Sequence, residues 1–200
     1  MSLNAKTNGS GFEKHPTGNF AARCYQVIDL GTHPNVQYGG SQHRVRIVFE
    51  SSEPMKDGRP YSIGASYTLS IHEKARLRKD LESWYGKKFD SDEIDKAGGL
   101  DLRKLIGRPA LINVVHDGEY ANIGSIGPLP RGMTCPDAVN ETLVFDISEW
   151  SEEVFKRLGK KTQEMIQKSE ERSGVPDDKP QPENQNQERE PDFNDSDVPF

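Results

Sequence analysis

The sequence predicts a mainly β domain followed by a helical extension and an acidic tail. Three observations carry that prediction: the alternation from Tyr61 to Ile71, the Asp117-Gly118 pair between two apolar runs, and a last stretch too polar to bury a core. Alternation of period two sustained over that length sorts side chains onto the two faces of a strand and fits no helix. Asp-Gly flanked by β-forming runs signals a two-residue hairpin. A length of 200 residues is enough for one ordinary domain with appendages and too short for two full-sized ones, and with only 32% hydrophobic residues the apolar material for a core is limited.

Residues 1–11 lack apolar periodicity and read as a flexible lead-in. Aromatic and β-branched content predicts a first strand over Asn19 to Leu30. Its parity is mixed: Ala21, Tyr25 and Val27 oppose Phe20, Ala22, Cys24, Ile28 and Leu30. A strand covered on both faces, or bent by a bulge as in a small barrel, accounts for that. Gly31 to Gln42, with three glycines and a proline, reads as a loop. His43 to Glu50 is a second strand, with Val45, Ile47 and Phe49 on one face and Arg44, Arg46 and Val48 on the other. A turn at Lys56-Asp57-Gly58 leads to the third strand, Tyr61 to Ile71.

A helix comes next, because Leu77, Leu81 and Trp84 recur at i, i+4 and i+7 among charged residues and Gly86 can stop it. After a short helical turn at Asp101 to Ile106, strands Ala110 to His116 and Tyr120 to Ile126 close the body, and Gly127-Pro128-Leu129-Pro130 ends the pairing. The order strand, strand, strand, helix, strand, strand is that of the OB-fold, a five-stranded Greek-key barrel with its helix between strands 3 and 4. Another five-stranded barrel or a mixed α+β sheet gives the same string. The barrel is expected over residues 12–130 and a helical extension over 131–172. The extension holds the apolar patch Leu143-Val144-Phe145 and one or two amphipathic helices (Trp150, Val154, Phe155, Leu158; then Met165, Ile166). Residues 173–200, rich in Pro, Gln, Asn, Asp and Glu, are expected to be disordered.

The net charge is −6, which at face value argues against a polyanionic partner. The distribution reverses that reading. Pro176 to Phe200 holds eight acids and two bases, while residues 1–89 hold 13 bases and eight acids and residues 90–175 hold 11 bases and 16 acids. A basic first half and an acidic arm point toward a polyanion and a protein partner respectively. Two cysteines, Cys24 and Cys135, a polar N-terminus and no apolar run near ~20 residues fit a cytoplasmic protein with reduced thiols and no membrane segment.

Catalytic equipment is scarce. The histidines have no zinc-site spacing, and neither a Walker A nor a Rossmann glycine pattern is present, so no cofactor is expected. Asp90, Asp92, Glu93 and Asp95 can hold a divalent cation in a nuclease, but acids at a helix start are more simply a solvated cap. What the sequence does offer is basic and aromatic side chains interleaved on sheet-forming segments. Arg23, Arg44, Arg46, Lys87 and Lys88 are candidates to neutralise phosphates, and Tyr25, Tyr38, Tyr61 and Tyr67 to stack on bases. The alternation that nominates Tyr61, Tyr67 and Phe49 equally fits them to the barrel interior, and Trp84 fits the core.

The chain ends Asp192-Phe-Asn-Asp-Ser-Asp-Val-Pro-Phe200: alternating acids, then an apolar tripeptide whose last aromatic carries the terminal carboxylate. Such an end can seat Phe200 in an apolar pocket while the acids provide electrostatic reach. It resembles the tail of bacterial-type single-stranded DNA-binding proteins, which end in acids followed by Ile-Pro-Phe or a close variant; here Val198 replaces Ile and Ser196 interrupts the acids. The body does not match the bacterial protein. Through Gly18 to Tyr25, Leu105 to Val114 and Tyr120 to Pro130 it is similar to phage and prophage replication-module proteins regarded as OB-fold single-stranded DNA binders. That resemblance implies sequence-independent binding and protection of single-stranded DNA during phage replication and recombination. The tail's resemblance to the bacterial family implies recruitment of replication and recombination proteins by Asp195, Asp197, Val198, Pro199 and Phe200. The expectation is a binding protein, not an enzyme. The alternatives are a replication adaptor without intrinsic DNA binding and a metal-dependent nuclease. Self-association and the choice of DNA over RNA stay open.

Overall fold

The computed structural model describes residues 13–35 and 39–173. It is mainly β, with a six-stranded sheet and few helices. β1 (Gly18–Pro34), β2 (Ser41–Pro54) and β3 (Pro60–Thr68) form an antiparallel meander. α1 (Arg76–Tyr85), the short α2 (Ser91–Lys96) and a 3-10 turn (Leu102–Leu105) lead to β4 (Pro109–Asp117) and β5 (Tyr120–Gly127), a hairpin whose first strand pairs with β1. The ladder therefore runs β3-β2-β1-β4-β5, and β3 and β5, its two ends, come close to one another. β6 (Leu143–Phe145) joins β1 in parallel, pairing with Gln26, Val27 and Ile28, before α3 (Glu152–Arg157) and α4 (Lys160–Gln167).

The mixed parity of the first strand has a direct cause. The register with β2 shifts between Cys24 and Gln26 and again between Asp29 and Gly31, so Tyr25 and Leu30 are extra residues, each of which reverses the facing of the strand beyond it. Ala22, Cys24 and Val27 enter one core with Ile47, Phe49, Ile112 and Trp84. Tyr25, Ile28 and Leu30 enter a second, formed with Val48, Leu143, Phe145, Phe155, Leu158 and Ile166. The extension thus covers the outer face of β1. Strands β1 and β2 also run further than expected, taking Gly31–Pro34 and Ser41–Gln42 out of the loop, whereas β3 ends at Thr68, where Ser70 N–H turns back to the Thr68 carbonyl.

Helix α1 forms as its periodicity requires: Leu77, Leu81 and Trp84 are buried, and the Trp84 Nε1–H donates to the Pro109 carbonyl at 2.7 Å. Gly86 adopts the left-handed conformation (φ 66°), and the Lys87 N–H closes on the Glu82 carbonyl. On its polar side Arg78 and Glu82, an i, i+4 pair at 2.9 Å, are also buried. Among the described residues, no helix is long and apolar enough to cross a membrane.

Candidate nucleic-acid interface

The two ends of the ladder leave a groove of about 660 Å³ between them. Its floor is the outward face of β3, where Ser62, Gly64 and Ser66 stand opposite the buried Ile63, Ala65 and Tyr67. Its far wall is the β4–β5 hairpin, with Val115, Asp117, Tyr120 and Asn122. Arg46, from β2, and Arg76, at the start of α1, also line it.

Alternation explains why Arg46 faces this groove: its neighbours Val45 and Ile47 are in the core. The side chain lies across β3 beside Gly64, and its electrostatic neighbour is the Tyr25 phenol rather than a carboxylate. Burial draws its pKa below the ordinary value, and among the described residues no carboxylate pairs with it. Arg44 shares the outward face, opposite Thr68 in the register. Arg76 is partly committed: its guanidinium lies 3.5 Å from Asp80, donates to the Ile123 carbonyl at 3.3 Å, and sits 5.6 Å from the Tyr67 ring centroid. At the hairpin, Tyr120 is 72% exposed, a free aromatic face at the mouth of the groove.

The other candidates fare differently, and four are corrected. Arg23 is not available to phosphate: it opposes Glu50 in the β1–β2 register, and its Nε and Nη2 both donate to Oε1 of that nearly inaccessible carboxylate. Tyr25 is buried, with its hydroxyl 2.8 Å from the Ser62 hydroxyl. Tyr61 and Tyr67 fill the interior, so none of these three rings presents a face to a base. Tyr61 donates to Glu13 at 2.8 Å, and burial together with that carboxylate pushes its phenol up to about 12. Lys88 stays exposed while pairing with Glu82 at 2.8 Å; with the Phe89 N–H and Arg78 on the same group, the Glu82 carboxyl is held down to about 2. Lys87 is exposed, beyond the C-terminal end of α1. Tyr38, Asp195, Asp197, Val198, Pro199 and Phe200 lie outside the described residues.

The structure adds two residues that sequence reasoning missed. Tyr120 carried a signal: it has the parity opposite to the buried Ile123, so it points outward from the hairpin start. Arg76 carried none, because its place in the groove depends on how α1 packs across β3 and β5. Of the acidic cluster, Asp90 is the N-cap of α2, accepting from the Asp92 and Glu93 N–H groups at 2.8 and 3.2 Å.

Comparison of the chain with protein-family models, with curated proteins and with solved structures gave no significant match.

Proposed function

We propose that this chain binds single-stranded DNA without marked sequence preference, through an OB-type barrel, and recruits replication and recombination proteins through its acidic C-terminal tip. The barrel reading is supported by the ladder order β3-β2-β1-β4-β5 with α1 between β3 and β4, and by the approach of β3 to β5. The observation that carries the binding reading is Arg46: a half-buried guanidinium facing an open groove, with Arg76 beside it and the exposed Tyr120 ring across from it. A cation that no described carboxylate neutralises stands ready for a phosphate. An exposed ring gives a base a surface on which to stack, whatever the base. Small residues on the floor let the strand approach the sheet closely.

The test is a titration of labelled oligo(dT) at several salt concentrations, with oligo(U) and duplex DNA in parallel. Saturable binding that weakens with salt and exceeds duplex binding supports the proposal; no binding, or binding indifferent to salt, refutes it. Deleting residues 192–200 is expected to leave DNA affinity unchanged or raised and to abolish partner capture.

A further inference from the structure

Gly64 sits in the middle of β3, paired with Val48, in an ordinary extended conformation that does not call for glycine. An interior strand glycine forgoes side-chain packing and backbone rigidity, so it marks a place where something must come close. What comes close here is Arg46. A Cβ added at Gly64 would stand 2.8 Å from the Arg46 Nε, 3.3 Å from its Nη2 and 3.2 Å from the Ile47 carbonyl oxygen. The missing methyl is the notch in which the guanidinium rests. Arg46 opposes Ser66 in the register, so its side chain crosses diagonally to Gly64 along the groove floor rather than standing out into water.

Building on the single-stranded DNA reading, we infer that Gly64 is a positioning residue: by leaving its Cβ site empty it holds the Arg46 guanidinium flat in the groove, pre-arranged for one backbone phosphate. The energetic argument is one of pre-organisation. An arginine free in water loses much rotamer freedom when it binds an anion, whereas one already confined in a notch has lost it on folding. The same confinement removes part of its hydration, and a phosphate that pairs with it restores the lost interaction in a site where water screens less.

The geometry also supplies a clean perturbation. Gly64→Ala needs no unusual backbone conformation: its hard contact is the far end of one flexible side chain, so Arg46 moves, while the Ile47 carbonyl at 3.2 Å must give by a few tenths of an ångström, a cost that Tm reads separately. Gly127→Ala is the matched control, since a Cβ on that β5 glycine meets nothing within 4 Å. Oligo(dT) affinity and its salt slope are measured for the wild type, Gly64→Ala, Arg46→Ala, the double variant and Gly127→Ala, with Tm for each.

Gly64→Ala is expected to weaken binding about 10-fold and to make the salt slope shallower by about 0.7, the signature of one fewer phosphate neutralised on a single strand. Arg46→Ala should do the same, and adding Gly64→Ala to it should change affinity less than about 2-fold, because the glycine acts through the arginine. Gly127→Ala should bind as wild type. The inference is overturned if Gly64→Ala binds as wild type, or if it weakens binding equally in the Arg46→Ala background. If the wild type retains no oligo(dT), the binding reading itself falls and this one with it.

Discussion

Replacing Arg23 by alanine is expected to damage the fold and spare the binding, the reverse of what its place among basic and aromatic residues suggests. Arg23 is 12% exposed and Glu50 1%, and the pair is not isolated: the second Glu50 oxygen accepts from the Asn140 backbone N–H at 2.8 Å and its side-chain amide at 2.9 Å. The carboxylate therefore fastens β1, β2 and the segment leading to β6 at one point. Removing the arginine leaves a buried charge with half its partners, a loss of about 3–5 kcal/mol. For a folded unit of this size each kcal/mol lowers Tm by about 2–4 °C, so a drop of roughly 6–20 °C is expected. The assay is thermal unfolding by circular dichroism, paired with an oligo(dT) titration well below the variant's Tm, where affinity should change less than about 2-fold. An unchanged Tm together with weaker, less salt-sensitive binding would refute the assignment and return Arg23 to the interface. Glu50→Gln should destabilise in the same direction, since it leaves the guanidinium buried without its counter-charge.

Tyr120→Ala should leave Tm essentially unchanged, because the ring is 72% exposed, while weakening oligo(dT) binding by about 1–3 kcal/mol, roughly 5- to 150-fold, in a fluorescence anisotropy titration. Glu82, held at about 2 against an ordinary value of 4.5, stabilises the fold fully above 4.5. That contribution is lost as pH falls from 4.5 toward 2, so denaturant unfolding across this window should show a smaller pH dependence in Glu82→Gln than in the wild type. His15 has the opposite character: it is buried between the Phe20 and Tyr61 rings, 4.7 Å from each centroid, its Nε2 has no partner among the described residues, and burial lowers its pKa from 6.5. The unfolded chain takes up a proton there that the folded chain resists, so stability should fall as pH drops below 6.5, and His15→Phe should lose less between pH 7.5 and 5.5.

The contrast between Arg23 and Arg46 marks what the sequence could convey. Both lie on strands that pattern alone predicted, both flank aromatic or apolar neighbours, and one is neutralised inside the fold while the other faces a groove. What separates them is the cross-strand partner: Glu50 for Arg23, Ile28 and Ser66 for Arg46. Partner identity depends on register, and register depends on two bulges in β1 that a single strand's pattern betrays only as a conflict of parity. The fold's order and most strand limits came from local periodicity and turn chemistry. β6 did not, because three residues are too few for a period, and their strand character comes from the β1 edge they cover. The helical spacing of Trp84 was legible for the same reason the tyrosines were ambiguous: one face of each element must be core, and only packing says which aromatics fill it.

The pairing of the cations sets the strength of the electrostatics. Residues 1–89 carry 13 bases, but Arg23 and Arg78 are held by buried carboxylates, and the exposed Lys88 and Arg59 are paired with Glu82 at 2.8 Å and Asp57 at 2.7 Å. Arg46 and Arg76 line the groove, Arg76 also 3.5 Å from Asp80, and Arg44 shares the outward face of β2. Neutralising about three phosphates of a single strand gives a slope of log affinity against log salt of about −2, from roughly −0.7 per phosphate. On the proposed single-stranded DNA reading, a shallow slope means that ionic pairing alone gives modest binding and that stacking is expected to supply the balance. The test is the slope for a short oligo(dT) between about 50 and 300 mM salt. A value steeper than about −5 would require cations that the described groove lacks, and would move the interface to another face of the molecule.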